Sequence, residues 1–352
     1  MRYMIDNKTD ILSLSRNELK ELLETGFAMK GFRADQIYSW LYKPGEQSGF
    51  AKMSDIPKAH QKILEDNFHI GKLNMIKKRI SADGTVKYLF ALHDKEMIES
   101  VFMRYNHGNT VCISTQAGCR MGCVFCASGA GGFARNLLPS EMLLQVLAAG
   151  EDIKERISNV VLMGIGEPLD NFENVVKFLE LANCKKGLNI GYRHISLSTC
   201  GLVDKISKLG EINIPITLSV SLHASDDETR KKIMPAAAKW KIDDLLQACR
   251  EYANATKRRI SFEYALMDKI NDSKEDARKL ALKIKNILCH VNLIPVNEVY
   301  GKEFKPPSGG KAKIFQKTLE DHGINATFRR KCGKDIDASC GQLKFLKTKN
   351  EV

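Results

Sequence analysis

Nowhere in the 352 residues does an apolar run reach the roughly 18 positions that a membrane-crossing helix requires, and the opening Met1-Arg2-Tyr3-Met4-Ile5-Asp6 has no apolar stretch of the kind that directs export. A membrane partner is therefore not expected, and a cytoplasmic location is. Without export, the ten cysteines are poor material for a disulfide framework, because the cytosol keeps thiols reduced. Metal binding or thiol chemistry explains them better. What the chain has in excess is positive charge: 54 Lys and Arg against 42 Asp and Glu leave a formal +12. Such a surface attracts polyanions, nucleic acid among them, although interleaving with acidic residues makes part of it an ordinary solvated face. At about 150 residues per domain, the length allows one large domain and a smaller one.

Residues 10–67 read as a small helical unit, with amphipathic stretches at 16–25, 34–41 and 58–67 separated by breakers at Gly31 and Pro44-Gly45. From Lys72 the pattern turns to strands, at 86–92 and 97–105, with Asp83-Gly84 as a turn before the first. After Asn109 a short apolar strand followed by a helix recurs six times, with no low-complexity linker between units. The strands fall at 111–114, 160–163, 194–198, 216–222, 259–266 and 290–296, and the helices at 140–149, 172–182, 203–208, 242–252, 274–287 and 312–322. This alternation predicts an α/β fold, a parallel sheet with helices outside it. Six units fall short of the eight that close a barrel, so the expectation is an incomplete (β/α)6 barrel with its site at the carboxyl ends of the strands. The expected division is a helical accessory domain at 1–70, a β extension at 71–108, the partial barrel at 109–330 and a C-terminal segment at 331–352.

Directly after the first repeat strand stand Cys119, Cys123 and Cys126, separated by three and then two residues. Thiolates hold zinc or iron-sulfur clusters, and structural zinc normally closes its tetrahedron with four protein ligands. The local count here is three. A four-iron cluster with one iron free of protein ligands can take the amino and carboxylate groups of S-adenosylmethionine (SAM). The spacing, with Phe125 before the third cysteine, resembles the radical SAM superfamily; the alternative is a zinc knuckle that borrows Cys112, Cys340 or a histidine. A second element, Met163-Gly164-Ile165-Gly166-Glu167-Pro168, follows the second strand. Its glycines let backbone approach a ligand, its carboxylate can accept bonds from an ammonium group, and it resembles the superfamily's SAM-binding turn.

Further stretches narrow the likeness: Ser114-Thr-Gln-Ala-Gly-Cys119, Gly132-Phe-Ala-Arg-Asn-Leu137, Ser221-Leu-His-Ala224, His290-Val-Asn-Leu-Ile-Pro295 and Asp335-Ile-Asp-Ala-Ser-Cys-Gly-Gln-Leu343. Together they resemble the RlmN family of RNA methyltransferases, over nearly the whole chain and including the Lys30-Gly-Phe-Arg-Ala-Asp-Gln-Ile37 run. The resemblance implies methylation of carbon 2 of an adenosine in 23S rRNA near the peptidyl transferase centre, and of one beside the anticodon of tRNA. It implies a 4Fe-4S cluster and SAM as cofactors, and an external electron donor such as flavodoxin or ferredoxin; a monomer is expected. Cfr-type enzymes, which act on carbon 8 of the same ribosomal base, are the alternative, but Pro168 and the run 132–137 look more like the carbon-2 enzymes.

Carbon 2 of adenine lies between two ring nitrogens and is electron-poor, so it does not attack the methyl group of SAM as an ordinary nucleophile. The family's route, on this resemblance, methylates one of its own cysteines with one SAM. It then abstracts a hydrogen from that S-methyl with the 5′-deoxyadenosyl radical made from a second SAM. By position the acceptor is Cys340, and the resulting carbon radical joins protein to RNA. Cys112 matches the resolving cysteine, whose thiolate attacks the sulfur of Cys340 and leaves a disulfide that cytosolic reductants reopen. Glu99 matches the proton acceptor. The SAM contacts carried over are Gly166, Glu167, Ser198, Ser221, Leu222, His223 and Asn297.

Without the resemblance, Cys112 reads as core, a solvated strand face explains Glu99 equally well and His223 divides evenly between packing and function, whereas Cys340, in a polar, glycine-flanked tail, reads as functional on local chemistry alone. Cys184, Cys249 and Cys289 also read as core, while Cys200 and Cys332 lie near expected site loops with no assigned role. The cations Arg329, Arg330, Lys331 and Lys334 are expected to neutralise RNA phosphate just before the Cys340 loop, and the target base must be unstacked to react. Three positions depart from the family pattern: Cys200 where serine is usual, Ala236 to Ala238 where more polar residues are typical, and the added thiol of Cys332. A zinc-stabilised, non-catalytic RNA-binding protein would share the charge and the cysteines. A radical SAM enzyme with another substrate would share the cluster but have no need of Cys340 and Cys112.

Overall fold

Strands buried on both sides read as continuous apolar runs, and Ile260–Leu266 is buried at every position. The computed structural model describes residues 3–43, 49–297, 299 and 303–344; the breaker Pro44-Gly45 and the end of the expected C-terminal segment, 345–352, lie outside the described residues. Seven parallel strands pair in chain order: Gly108–Cys112, Asn159–Leu162, Ile195–Thr199, Thr217–Ser221, Ile260–Leu266, Cys289–Pro295 and Ala326–Phe328. That is one more than the repeat predicts. The seventh has only three residues, too few to show a pattern, and is defined by its pairing of Val291 with Ala326. Strands that neighbour one another in chain order leave no point of reversal, so the loops at their carboxyl ends lie along one edge.

Three helices precede the sheet: α1 (Arg16–Phe27), α2 (Phe32–Leu41) and α3 (Lys58–Asn67). α1 opens on a capping box in which the Ser15 side chain accepts from the Glu18 amide and the Glu18 carboxylate accepts from the Ser15 amide. The ammonium of Lys177 reaches Glu18, and the Ser140 amide donates to Ser13 Oγ at 3.2 Å, which docks this unit on the barrel helices. Those helices are α4 (Pro139–Ile153), α5 (Phe172–Asn183), α6 (Val203–Ile212), α7 (Asp227–Ile233), α8 (Ile242–Thr256), α9 (Lys274–Ile284) and α10 (Lys311–Asp321). α7 was not expected, because it consists largely of charged residues; the Asp226 carboxylate caps it by accepting from the Thr229 amide.

On the other side of the first parallel strand, Met97–Tyr105, Val86–Ala91 and Asn74–Ile80 extend the sheet antiparallel to ten strands. Asn74–Ile80 is exposed at every residue, which is why its sequence shows no alternation. Among the described residues the first and last parallel strands do not pair, so the barrel is open. No helix among them is long and apolar enough to cross a membrane.

Candidate cofactor cavity and thiol pocket

After the first parallel strand a short hairpin, Gln116–Gly118 with Phe133–Asn136, holds the base of the cysteine loop. Backbone bonds pin the loop itself: Cys119 donates to Gly132 at 2.8 Å, Cys126 to Cys123 at 3.1 Å and Val124 to Ile233 at 3.1 Å. Cys119, Cys123 and Cys126 line one cavity together with Gly166, Glu167, Ser198, Ser221, His223 and Asn297. Leu222 does not line it; its side chain is fully buried, and its amide donates to the Glu263 carbonyl at 3.1 Å.

Burial pushes the Cys119 thiol up to about 12, with Cys126 adding to the shift, and the Cys123 thiol higher still, with Cys126 and Cys119 both adding. Such a set gains most from a positively charged centre, because metal binding needs the thiolates. Among the described residues no three Cys, His, Asp or Glu side chains are gathered tightly enough to hold a single metal ion.

Gly164 and Gly166, in the turn after Asn159–Leu162, line the cavity and are also required by close packing. A Cβ on Gly164 would come within 2.6 Å of the Ile113 carbonyl oxygen, and one on Gly166 (φ +107°) within 2.6 Å of Gln116 Cβ. Both approaches are to the segment 113–116, and Glu167 stands in the cavity wall beside it. Both Glu167 oxygens are engaged, Oε1 accepting from Leu169 N at 2.9 Å and Oε2 from Cys200 N at 2.7 Å; burial nevertheless raises its pKa. His223, at φ +57°, accepts the Ala265 amide on Nδ1 at 2.9 Å. Burial, then the nearby Arg230, lowers its pKa to about 3, so the ring is neutral with its proton on Nε2. Its edge meets Phe125 of the cysteine loop at 5.1 Å between ring centres.

The segment after Ala326–Phe328 returns to this cavity. The Ala127 amide donates to the Gly341 carbonyl at 2.8 Å, linking the residue after Cys126 to the residue after Cys340. Asn297 Nδ2 donates to the Cys340 carbonyl at 3.1 Å, and Ser128 Oγ to that of Leu343 at 2.9 Å. Cys340 lines the cofactor cavity and also a second pocket beside it, whose wall includes Cys112, Cys332, Tyr105 and Arg329. The β extension anchors the segment from below. Lys87 Nζ donates to the Asp337 carbonyl at 3.0 Å and pairs with Glu99 at 2.9 Å, while Glu99 Oε2 accepts from Lys344 N at 2.7 Å.

Residues 9–70 match the family model for the ribosomal RNA large subunit methyltransferase N-terminal domain, and residues 113–281 that for the radical SAM superfamily. A probable dual-specificity RNA methyltransferase RlmN from Clostridium botulinum (strain Eklund 17B / Type B) is 51% identical, the alignment covering 99% of this chain and 98% of that one. The chain belongs to the RlmN family. A protein of the same printed name, probable dual-specificity RNA methyltransferase RlmN, from Clostridium perfringens (strain 13 / Type A) is 50% identical over 97% of this chain and 98% of its own. A solved structure, a radical SAM methyltransferase from Sphaerobacter thermophilus, is 38% identical with a TM-score of 0.89, covering 95% of this chain and 98% of that chain. The chain is thus a radical SAM enzyme of the methyltransferase branch, and RlmN enzymes use a 4Fe-4S cluster and SAM. The three loop thiols and the open cavity beside them suit those cofactors.

Several RlmN-family residues differ from the sequence expectation. Arg329 is no surface cation: its guanidinium lines both pockets, 3.4 Å from Glu263 and 3.1 Å from Met163 Sδ, and the Cys340 thiol, ahead of every other influence, raises its pKa. Arg330, Lys331 and Lys334 remain exposed. Glu263, an acid within the otherwise apolar-to-small strand Ile260–Leu266, lines the cavity and was overlooked; one carboxylate in such a strand was the available signal. Glu99 lies in neither pocket wall, being held beneath the C-terminal segment. Of the cysteines read as core, Cys249 is fully buried, whereas Cys184 and Cys289 are half-buried; Cys200 lines the cofactor cavity.

Proposed function

We propose that this chain methylates carbon 2 of adenosine in 23S rRNA at the peptidyl transferase centre and in tRNA beside the anticodon, with Cys340 as methyl carrier, Cys112 as resolving thiol and Glu99 as proton acceptor. The curated relatives are named dual-specificity RNA methyltransferases. The observation that carries the reading is that Cys340 belongs to two pockets at once, one shared with the three loop cysteines and one with Cys112. Held by Cys119, Cys123 and Cys126, the cluster would supply one electron to SAM and so the radical that abstracts hydrogen. Gly166, Glu167, Ser198, Ser221, His223 and Asn297 would orient SAM, with the neutral His223 donating from Nε2.

Cys340 needs thiolate character to take a methyl group, and the half-buried Arg329 provides a fixed positive charge beside it and beside Cys112. Burial holds the Cys112 thiol up at about 12, with Cys340 adding to the shift and Arg329 opposing it; Cys112 must therefore lose its proton as it attacks. For Glu99 to accept a proton, its oxygen must exchange the Lys344 amide for substrate, so the proton step is coupled to movement of the C-terminal segment. The exposed Arg330, Lys331 and Lys334 would meet phosphate. The reading includes a cytoplasmic monomer that draws electrons from a flavodoxin or ferredoxin, and the four-part division 1–70, 71–108, 109–330 and 331–352. Cys340→Ala, reconstituted anaerobically with iron, sulfide and SAM and given RNA, should form no 2-methyladenosine by mass spectrometry. Full product from that variant would defeat the methyl-carrier role.

A further inference from the structure

The pocket beside the cofactor cavity holds three thiols, not two: Cys112, Cys332 and Cys340 all line it. A buried free cysteine is ordinarily a small packing residue. Cys332, however, also has polar neighbours, its Sγ lying 3.7 Å from the Tyr105 hydroxyl with Arg329 in the same wall. The chain from 332 to 340 closes on itself. Ala338 N donates to Gly333 O at 2.9 Å and Ser339 Oγ to Cys332 O at 3.0 Å, so Cys332 is bonded to the residue that immediately precedes Cys340. Only glycine suits position 333, at φ +59°, because a Cβ there would lie 2.7 Å from that of Ala338 and 2.9 Å from Thr85 Cγ2. The Asp83 carboxylate holds the Gly333 amide at 3.0 Å and fixes the closure.

We propose that Cys332 is a second resolving thiol, able to attack the sulfur of Cys340 in place of Cys112. The proposal rests on the reading of Cys340 as methyl carrier. In the joined state a methylene carbon bridges RNA and the Cys340 sulfur. The Cys332 thiolate attacks that sulfur, a sulfur-sulfur bond forms, and the sulfur-carbon bond breaks with its electron pair going to the carbon, which takes a proton and becomes the methyl group. The two sulfurs together lose the two electrons that the carbon gains. An external dithiol of the thioredoxin class, or dithiothreitol, then reopens the Cys332–Cys340 disulfide.

The test compares anaerobically reconstituted wild type, Cys112→Ala and Cys112→Ala/Cys332→Ala, each given SAM and tRNA transcript. Product is counted as 2-methyladenosine, protein–RNA crosslink on denaturing gels, and disulfides by mass spectrometry of unreduced digests. Intact mass for the methyl on Cys340 reports that each variant is folded and loaded. Cys112→Ala should still release product and yield a Cys332–Cys340 peptide, and removing Cys332 as well should cut product by about tenfold or more and make the crosslink accumulate. Equal crosslink in the two variants, with no Cys332–Cys340 peptide in Cys112→Ala or in diamide-treated wild type, overturns the proposal. Absence of the methyl mark and of any crosslink in wild type, with product still formed, defeats the methyl-carrier reading instead.

Discussion

Lys87 and Glu99 form a buried pair whose two ends bracket Cys340, Lys87 through the Asp337 carbonyl and Glu99 through the Lys344 amide. Burial raises the Glu99 pKa above the ordinary carboxylate value, and Lys87 opposes that rise. In Lys87→Met the opposition is gone and the carboxyl is left without its cation, at a cost of about 3–5 kcal/mol once it is charged. The sign of the pH dependence follows. With a folded pKa above the unfolded one, the unfolded chain releases its proton first, so stability falls as pH rises from the ordinary carboxylate range through the folded value. Urea denaturation should therefore show the variant close to wild type near pH 4 and furthest below it at pH 8. A deficit that does not depend on pH would mean that Lys87 acts through packing alone.

Among the elements, the least conspicuous in sequence holds the most consequential segment. The turn between Asn74–Ile80 and Val86–Ala91 grips the C-terminal segment from both directions: Asp83 accepts the Gly333 amide, and Asp335 accepts the Ser81 hydroxyl and, at 3.2 Å, the Ala82 amide. Asp83→Ala/Asp335→Ala should speed proteolytic cleavage within 332–344 and slow methyl transfer to Cys340 by about tenfold, a change of ~1.4 kcal/mol at the transition state, while the melting temperature stays near that of wild type. Unchanged proteolysis and methylation would show that Lys87, Asn297 and Ser128 suffice to seat the segment.

Where an element buries an apolar face, its pattern was legible: Met97–Tyr105 and Lys58–Asn67 fall at their expected bounds. Where burial is absent or the element is very short, as in the wholly exposed Asn74–Ile80 and the three-residue Ala326–Phe328, there was no periodicity to find. The cysteine loop could be recognised because its three thiols are local in sequence. The inward turn of Arg329 could not, because it depends on Glu263 and Met163, which are distant in sequence and give a basic run no mark of burial.

Taken whole, the molecule is an open parallel sheet whose carboxyl edge gathers the cysteine loop, the Glu167 turn, His223 and the returning C-terminal segment around one cavity. Helical N-terminal unit and β extension both brace that assembly, the first against α4 and α5, the second against the Cys340 segment. Every step ascribed to Cys340 presupposes that Cys119, Cys123 and Cys126 hold iron and sulfide with one iron left for SAM. The most direct measurement is the iron and acid-labile sulfide content of protein purified without oxygen, alongside its methylation activity, for wild type and for Cys123→Ala. The account predicts brown, active wild type with about four irons per chain and a variant that loses both colour and product. Colourless, iron-free protein that methylates RNA at full rate would contradict it.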